Sequence, residues 1–349
     1  MANILILGAG AMGSAFAFPC VDNGNTVSIV GTHLEDKFID TIKQQNNLHP
    51  YLNCELPTNI KLFKFKNFKE AINNNINLIV LAVNSKGIEW AAKNLGKSIK
   101  NEIPILLLTK GLCLINNKYK TLADKLNTLL LKNGQKKTNI TAVGGPCLAG
   151  GLANRIRSSI VLANSDLKIA KKISDIITTD YYSTEISDDL IGVEVCAAIK
   201  NIYSMIIGAS EGLSSEKAAK EVKNKNFLNT AASLMHQSIS EMVLFTKSLG
   251  GRESTVYGLA GLGDLYVSSA GGRNSKMGKY LGYGMSYKDA KNTYMPKDTI
   301  EGAELAFEIG SQILNDYKRS QLPLMMSIID AICSNKKLKL NWIDKGLKD

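Results

Sequence analysis

A chain of 349 residues is long for one hydrophobic core and comfortable for two domains. Its 45% apolar and 21% charged composition is ordinary for a soluble globular protein, and no uninterrupted apolar run reaches the length of a membrane span. Six cysteines without a C-x-x-C pair and three widely separated histidines argue against a disulfide framework and a local zinc motif. The cysteines read as reduced thiols of a cytoplasmic protein. The formal net charge of +11 favours anionic partners. The Lys-rich pieces at Lys132–Lys137 and Lys336–Lys339 are short, separated and poor in interleaved aromatics. They read as solvated faces, so no nucleic acid is expected, and a dinucleotide with a phosphorylated metabolite explains the charge equally well. Met1-Ala2 leads directly into a strand, so no signal peptide is expected.

The first strand is Asn3–Leu7, N-I-L-I-L, and Gly8-Ala9-Gly10-Ala11-Met12-Gly13 follows at once. A G-x-G-x-x-G between a strand and a helix is the pattern of a dinucleotide site. Gly8 permits the tight turn, Gly10 lets a pyrophosphate approach the backbone, and Gly13 lets helix and strand pack closely. The helix opening at Ala11 and Met12 turns free N–H groups toward the phosphates. Strand two, Thr26–Val30, ends at Gly31-Thr32-His33. An acidic residue there marks an NAD site and an Arg an NADP site. Neither stands at the strand end. Glu35 and Asp36 come slightly late, and His33 is either a 2′-phosphate contact or an ordinary loop histidine. The choice between NAD and NADP stays open.

Helical pieces are expected over 35–46 and 67–74, with a short strand at Ile60–Phe63. Leu78–Val83 is a fully apolar strand that runs into Asn84-Ser85, and a helix follows over 87–99. Strand Ile103–Leu108 ends in Thr109-Lys110-Gly111, and a helix is expected over 118–133. Strand Thr138–Val143 ends in Gly144-Gly145-Pro146-Cys147. Strands at Ile160–Ala163 and Tyr181–Ile186 flank a helix at Leu167–Thr178. Alternation of this kind predicts an α/β fold, a doubly wound and mostly parallel Rossmann-type sheet. It places Gly10, Asn84, Lys110 and Gly145 on one edge, beyond strand carboxyl ends, where ligands bind.

The pattern changes after Ser187. A long helical stretch, Leu190–Ala209, carries Glu194, Lys200 and Asn201, and apolar helices follow at Phe227–Leu249 and Pro323–Cys333. Gly258–Leu265 reads as shaped backbone containing Asp264, with Gly271-Gly272-Arg273-Asn274 beyond it. Further helices start near Lys276 and Ile300. The expected organisation is a dinucleotide-binding domain over 1–187 and an all-helical substrate and catalytic domain over 188–349.

These motifs together resemble the NAD(P)-dependent glycerol-3-phosphate dehydrogenase family, over nearly the whole chain and in order. The family's marks appear as Gly8–Gly13, Thr109-Lys110-Gly111, Gly145-Pro146-Cys147-Leu148-Ala149, and Val193-Glu194 with Lys200-Asn201. They continue as Ala260-Gly261-Leu262-Gly263-Asp264-Leu265, Arg273-Asn274 and Ile300-Glu301-Gly302. The resemblance implies reversible hydride transfer between NAD or NADP and dihydroxyacetone phosphate, giving glycerol 3-phosphate. It also implies a cytoplasmic homodimeric enzyme of glycerophospholipid metabolism. Catalysis is carried over to Lys200 as general acid and base, with Lys110 and Asp264. Cofactor contacts fall on Gly8, Gly10, Ala11, Met12, Gly13, His33, Lys110, Ala149, Arg273 and Glu301. Substrate contacts fall on Lys110, Gly145, Cys147, Lys200, Asn201, Asp264, Gly272, Arg273 and Asn274, with Arg273 offering a planar fork to the phosphate.

Several residues depart from the family pattern. Cys147 replaces a serine, Gly151 an acidic residue, Gly272 a serine and Asn84 a proline. The Asp264–Arg273 segment is short, and basic Arg155 and Arg157 follow the altered loop. Another polyol or sugar phosphate therefore stands as an alternative substrate, and a dinucleotide-binding protein without catalysis as an alternative class.

Overall fold

The computed structural model describes residues 1–72, 75–99, 102–218 and 227–340; the end of the helix expected over 67–74 lies outside them. The elements in chain order are β1 (Asn3–Leu7), α1 (Ala11–Asp22), β2 (Thr26–Val30), α2 (Asp36–Gln44), β3 (Leu48–His49), β4 (Cys54–Glu55), β5 (Lys61–Phe63), α3 (Phe68–Ala71), β6 (Leu78–Leu81), α4 (Ile88–Ser98) and β7 (Ile105–Leu107). Then come β8 (Leu112–Ile115), β9 (Lys118–Thr121), α5 (Leu122–Lys132), β10 (Ile140–Gly144), α6 (Ala149–Ala153), β11 (Ser158–Ala163), α7 (Leu167–Ile177) and β12 (Tyr182–Ser187). The rest is helical: α8 (Leu190–Ala218), α9 (Leu228–Ser248), α10 (Glu253–Tyr257), a π-helical turn at Leu259–Gly263, α11 (Asp264–Ser269), α12 (Arg273–Gly282), α13 (Tyr287–Tyr294), α14 (Glu301–Asp316) and α15 (Pro323–Cys333).

The chain divides into two compact units, residues 1–110 with 121–194, and residues 111–120 with 195–349. The first holds an eight-stranded sheet of order β12-β11-β10-β7-β6-β1-β2-β5. Every neighbouring pair in it is parallel except β10 with β11. Strand order reverses about β1, with β2 on one side and β6 on the other, and this switch point is where an open α/β sheet leaves a crevice. The central strands β1 and β6 are apolar because helices cover both faces of such a sheet. Helix α1 is buried continuously from Gly13 to Cys20, which explains why it shows no polar stripe.

Among the described residues, the second unit is helical apart from the hairpin β8–β9, whose first strand packs against α14. The reading of 118–133 as one helix is corrected here. Lys118–Thr121 is a strand, and the helix starts at Leu122, where the Thr121 hydroxyl accepts from the Asp124 N–H at 3.1 Å. Two asparagines at the hairpin turn, Asn116 and Asn117, adopt positive φ of 51° and 58°. Asparagine tolerates that region better than most side chains, so N-N before Lys118 was an available hairpin signal. Helix α8 is long and apolar enough to cross a membrane over Leu190–Ser214, with mean hydropathy 1.6, yet 89% of that window is buried inside the protein. It has the character of a core helix.

Candidate active site

The glycine turn of the first unit is shaped by close approach. Gly8 has φ +113° and its N–H reaches the Val30 carbonyl at 2.8 Å. A Cβ at Gly8 would stand 2.6 Å from the Ala82 carbonyl oxygen, and one at Gly13 would stand 2.3 Å from the Gly8 oxygen. Only hydrogen fits at either place. Gly10 is different: its missing side chain faces open space, with the Glu35 Oε1 atom, 3.9 Å from a built Cβ, the nearest neighbour. Gly10 is the N-cap of α1 and makes no side-chain cap, so the N–H groups of Ala11, Met12 and Gly13 meet whatever enters that space. A dinucleotide pyrophosphate fits this cradle.

The Ala9 peptide inside the turn is held from both sides. Its N–H donates to Glu35 Oε2 at 3.2 Å, and its carbonyl lies 3.2 Å from Nε2 of the buried His49. The Leu52 N–H donates to His49 Nδ1 at 3.2 Å, so Nε2 carries the proton and donates to Ala9. Burial pushes the His49 pKa down, which keeps that neutral tautomer. The turn is thus held in shape before any ligand arrives.

The other predicted residues of this unit lie beyond strand carboxyl ends. Lys110, partly buried, follows β7, and the neighbouring Thr109 hydroxyl donates to the Val83 carbonyl at 2.6 Å. Gly145 follows β10 with φ +120°. Cys147 packs on the hydrophobic core beside Tyr182, and Ala149 opens α6. Asn84 serves as a cap, its Oδ1 accepting from the Gly87 N–H at 2.9 Å. His33 is exposed, with its ring centroid 5.3 Å from that of Trp90 and 6.4 Å from that of Phe65. Arg155 is not available as a loose cation after the altered loop. Its guanidinium holds Asp22 through two bonds of 2.7 and 3.0 Å and lies 5.3 Å above the Phe18 ring, while the Tyr181 hydroxyl reaches the same carboxylate at 2.6 Å.

In the second unit, α8, α11, α12 and the start of α14 bring together residues spread over 100 positions of sequence. Lys200 is 6% exposed and Asp264 1% exposed, and the Lys200 ammonium donates to Asp264 Oδ1. It also donates to Ser268 Oγ at 2.8 Å. A buried ammonium survives only with such compensation. Asn201, the next residue, accepts at Oδ1 from Asn274 Nδ2 at 3.1 Å and donates to Glu301 Oε2 at 3.3 Å. Asn274 in turn accepts from the Gly302 N–H at 2.9 Å. Arg273 donates to Glu301 Oε1 at 3.2 Å, and both side chains stay about half exposed. Gly272 is the N-cap of α12, with Arg273 and Asn274 in its first turn.

One residue of this cluster was missed from sequence. Ser268 lies four positions after Asp264 on α11, so both face the same way, and the i, i+4 spacing was the available signal. Glu194, the acidic residue of the α8 motif, does something different from Lys200. Its Oε1 accepts from the Ala123 N–H at 2.9 Å and so holds the first turn of α5. Burial pushes its pKa up to about 8.

Two family models match the chain: the N-terminus of NAD-dependent glycerol-3-phosphate dehydrogenase over residues 3–170 and its C-terminus over residues 189–342. The NADP(+)-dependent glycerol-3-phosphate dehydrogenase of Archaeoglobus fulgidus is 32% identical over 320 residues, 90% of this chain and 92% of the relative. The glycerol-3-phosphate dehydrogenase [NAD(P)+] of Clostridium botulinum strain Eklund 17B is 30% identical over 317 residues, 90% of this chain and 89% of that protein. Among solved structures, the glycerol-3-phosphate dehydrogenase of Coxiella burnetii shares the fold with a TM-score of 0.82 at 23% identity, covering 100% of this chain and 99% of that one. That of Plasmodium falciparum does so with a TM-score of 0.81 at 18% identity, covering 100% and 96%. With both halves of the chain matched, and with a glycine cradle in one unit and a buried lysine cluster in the other, the chain belongs to the NAD-dependent glycerol-3-phosphate dehydrogenase family.

Proposed function

We propose that this chain reversibly reduces dihydroxyacetone phosphate to glycerol 3-phosphate with NADH or NADPH. The observation that carries the reading is the Lys200 ammonium, buried and held by Asp264 and Ser268, with the Asn201–Asn274 pair and Arg273 beside it. The bound dinucleotide supplies the hydride. The chain must then supply a proton and a counter-charge to the oxygen that becomes the alkoxide. Lys200 donates that proton in reduction and takes it back in oxidation. Asp264 and Ser268 hold the ammonium in place. Asn201 orients the substrate, and Arg273, with Asn274 next to it, takes the phosphate through its planar fork. Glu301 competes for Arg273 until the anion arrives.

The same proposal gives residues 1–187 the cofactor, with Lys110 among its contacts, and 188–349 the substrate chemistry. It also covers a cytoplasmic enzyme, a homodimer and a role in supplying glycerophospholipid backbones. The relatives' names leave both dinucleotides open, one being NADP(+)-dependent and others NAD(P)+. A second reading, turnover of another polyol or sugar phosphate, draws on Cys147 in the loop after β10 and Gly151 in α6. A steady-state assay of dihydroxyacetone phosphate and a panel of phosphorylated ketoses, with NADH and NADPH in parallel, separates the two. Fastest turnover of a larger ketose phosphate would replace the first reading with the second. Size-exclusion chromatography with light scattering checks the dimer.

A further inference from the structure

We infer that Gly261 is a positioning residue for the chemistry at Lys200: seated on the Val256 peptide, it fixes a wide turn that sets Asp264 and Ser268 in register with the ammonium. For its catalytic meaning the inference rests on the dehydrogenase reading above. Helix α10 stops at Gly258, whose backbone is extended at φ −86° and ψ −164°. The turn that follows is closed by bonds reaching back five residues instead of four. The Gly263 N–H donates to the Gly258 carbonyl at 3.2 Å, and the Asp264 N–H donates to the Leu259 carbonyl as well as to that of Gly261. Asp264 is therefore the residue at which the wide turn hands over to α11. Such π-type turns are rare and are frequent at functional sites.

One more residue per turn has a direct geometric effect. Each side chain beyond the turn is set back by one place relative to the chain entering it, about 100° around the axis at 3.6 residues per turn. A regular α-turn leaving Leu259 would put Gly263 above it, and Asp264 would come round to another face. The carboxylate would then miss the ammonium that it holds by a hydrogen bond. Ser268, one turn further along the same face of α11, would miss it too. The seat keeps the turn wide. Ala260 and Gly261 are buried, and a Cβ at Gly261 would stand 2.0 Å from the Val256 carbonyl oxygen and 2.6 Å from its carbonyl carbon. Val256 is wholly buried in α10, which packs against α9. Gly261 thus lies directly on a fixed peptide, where only hydrogen fits. The two other charged groups of the cluster, Arg273 and Glu301, are paired with each other, so Asp264 supplies the counter-charge at the ammonium.

The test follows the Lys200 ammonium itself. The full chain with isotope-labelled lysine is titrated by NMR, the Lys200 signal being assigned by its absence in Lys200→Ala. A buried ammonium that loses its counter-charge gives up its proton more easily. Gly261→Ala forces the turn off Val256. Deletion of the partly exposed Leu262 leaves the seat and takes one residue out of the wide turn. In each, Lys200 should titrate at a proton concentration at least about tenfold higher than in wild type, as in Asp264→Asn. The alkaline limb of ketose reduction should move to lower pH with it, and kcat should fall about 10²-fold while the Kd for NADH stays within a few-fold. Gly258→Ala is the control: its Cβ would lie 3.5 Å from the nearest atoms, and its titration and pH profile should match wild type. An unmoved Lys200 titration in a folded Gly261→Ala or a folded Leu262 deletion overturns the inference, and so does an equal displacement in Gly258→Ala. Where Gly261→Ala does not fold, the deletion decides. A wild type that reduces no phosphorylated ketose defeats the dehydrogenase reading, and the NMR titration still decides whether the turn positions Asp264.

Discussion

The Lys200 ammonium is hydrogen-bonded to the Asp264 carboxylate within the helical unit, with both side chains almost wholly buried. The two residues are 64 positions apart, and the pair puts a proton donor and its counter-charge at one point. Lys200→Ala is expected to lower kcat by about three orders of magnitude, the scale of a lost general acid, while the Kd for NADH stays within a few-fold of wild type. A variant with near-wild-type kcat would remove Lys200 from the chemistry.

Arg273 and Glu301 form the second relationship that invites a test. Their pair is half exposed, so it costs little to open. Arg273→Ala should reduce kcat/KM for the phosphorylated ketose by about 10²-fold, in keeping with loss of a charge-assisted bond to an anion. Arg273→Lys should recover only part of this, because the fork is gone. Measuring KM with the phosphorylated ketose and with its unphosphorylated parent shows whether the effect follows the phosphate; an equal loss for both would place the anion elsewhere.

Glu194 predicts a pH dependence of stability. Burial raises its folded pKa to about 8, from an ordinary value of 4.5. Between these two values the unfolded chain releases a proton that the folded chain keeps. Stability therefore falls as pH rises from about 4.5 toward 8 and levels off above it, by an amount on the order of a few kcal/mol. Glu194→Gln should flatten this slope, so that its Tm relative to wild type improves from pH 5 to pH 8. Parallel melting curves at the two pH values suffice, and an unchanged difference would mean that Glu194 is already ionised in the folded state.

Gly8→Ala combines an unfavourable φ of +113° with a Cβ 2.6 Å from the Ala82 oxygen. Backbone must move, at a cost of about 1–3 kcal/mol or more, and the turn loses its shape. The expected outcome is a Tm several degrees lower and dinucleotide affinity reduced at least about tenfold. Gly10→Ala separates the two effects. Its Cβ meets nothing closer than 3.9 Å, so stability should hold while pyrophosphate binding weakens. Equal stability losses in the two variants would show that the close approach at Gly8 does not matter.

What the sequence determined by itself is whatever local sterics and periodicity control. N-I-L-I-L followed by glycines at 8, 10 and 13 yields strand, tight turn and helix without help from distant residues, and the later apolar runs yield the parallel strands. The long apolar helix carrying Lys200 was equally legible. Tertiary structure decided the rest, because the decisive contacts join residues far apart or depend on which way a short turn folds. Lys118–Thr121 became a strand because β8 offers it a partner. Ser268 joined Lys200 only when α11 was set against α8. Arg155, counted from sequence among the changes around the substrate loop, was taken by Asp22, 133 positions away. Glu35 looked too late to serve strand two, and a four-residue turn over Gly31 carried its carboxylate back to Ala9. Spacing along a chain measures distance only while the backbone runs straight, and over Thr32–Glu35 it does not.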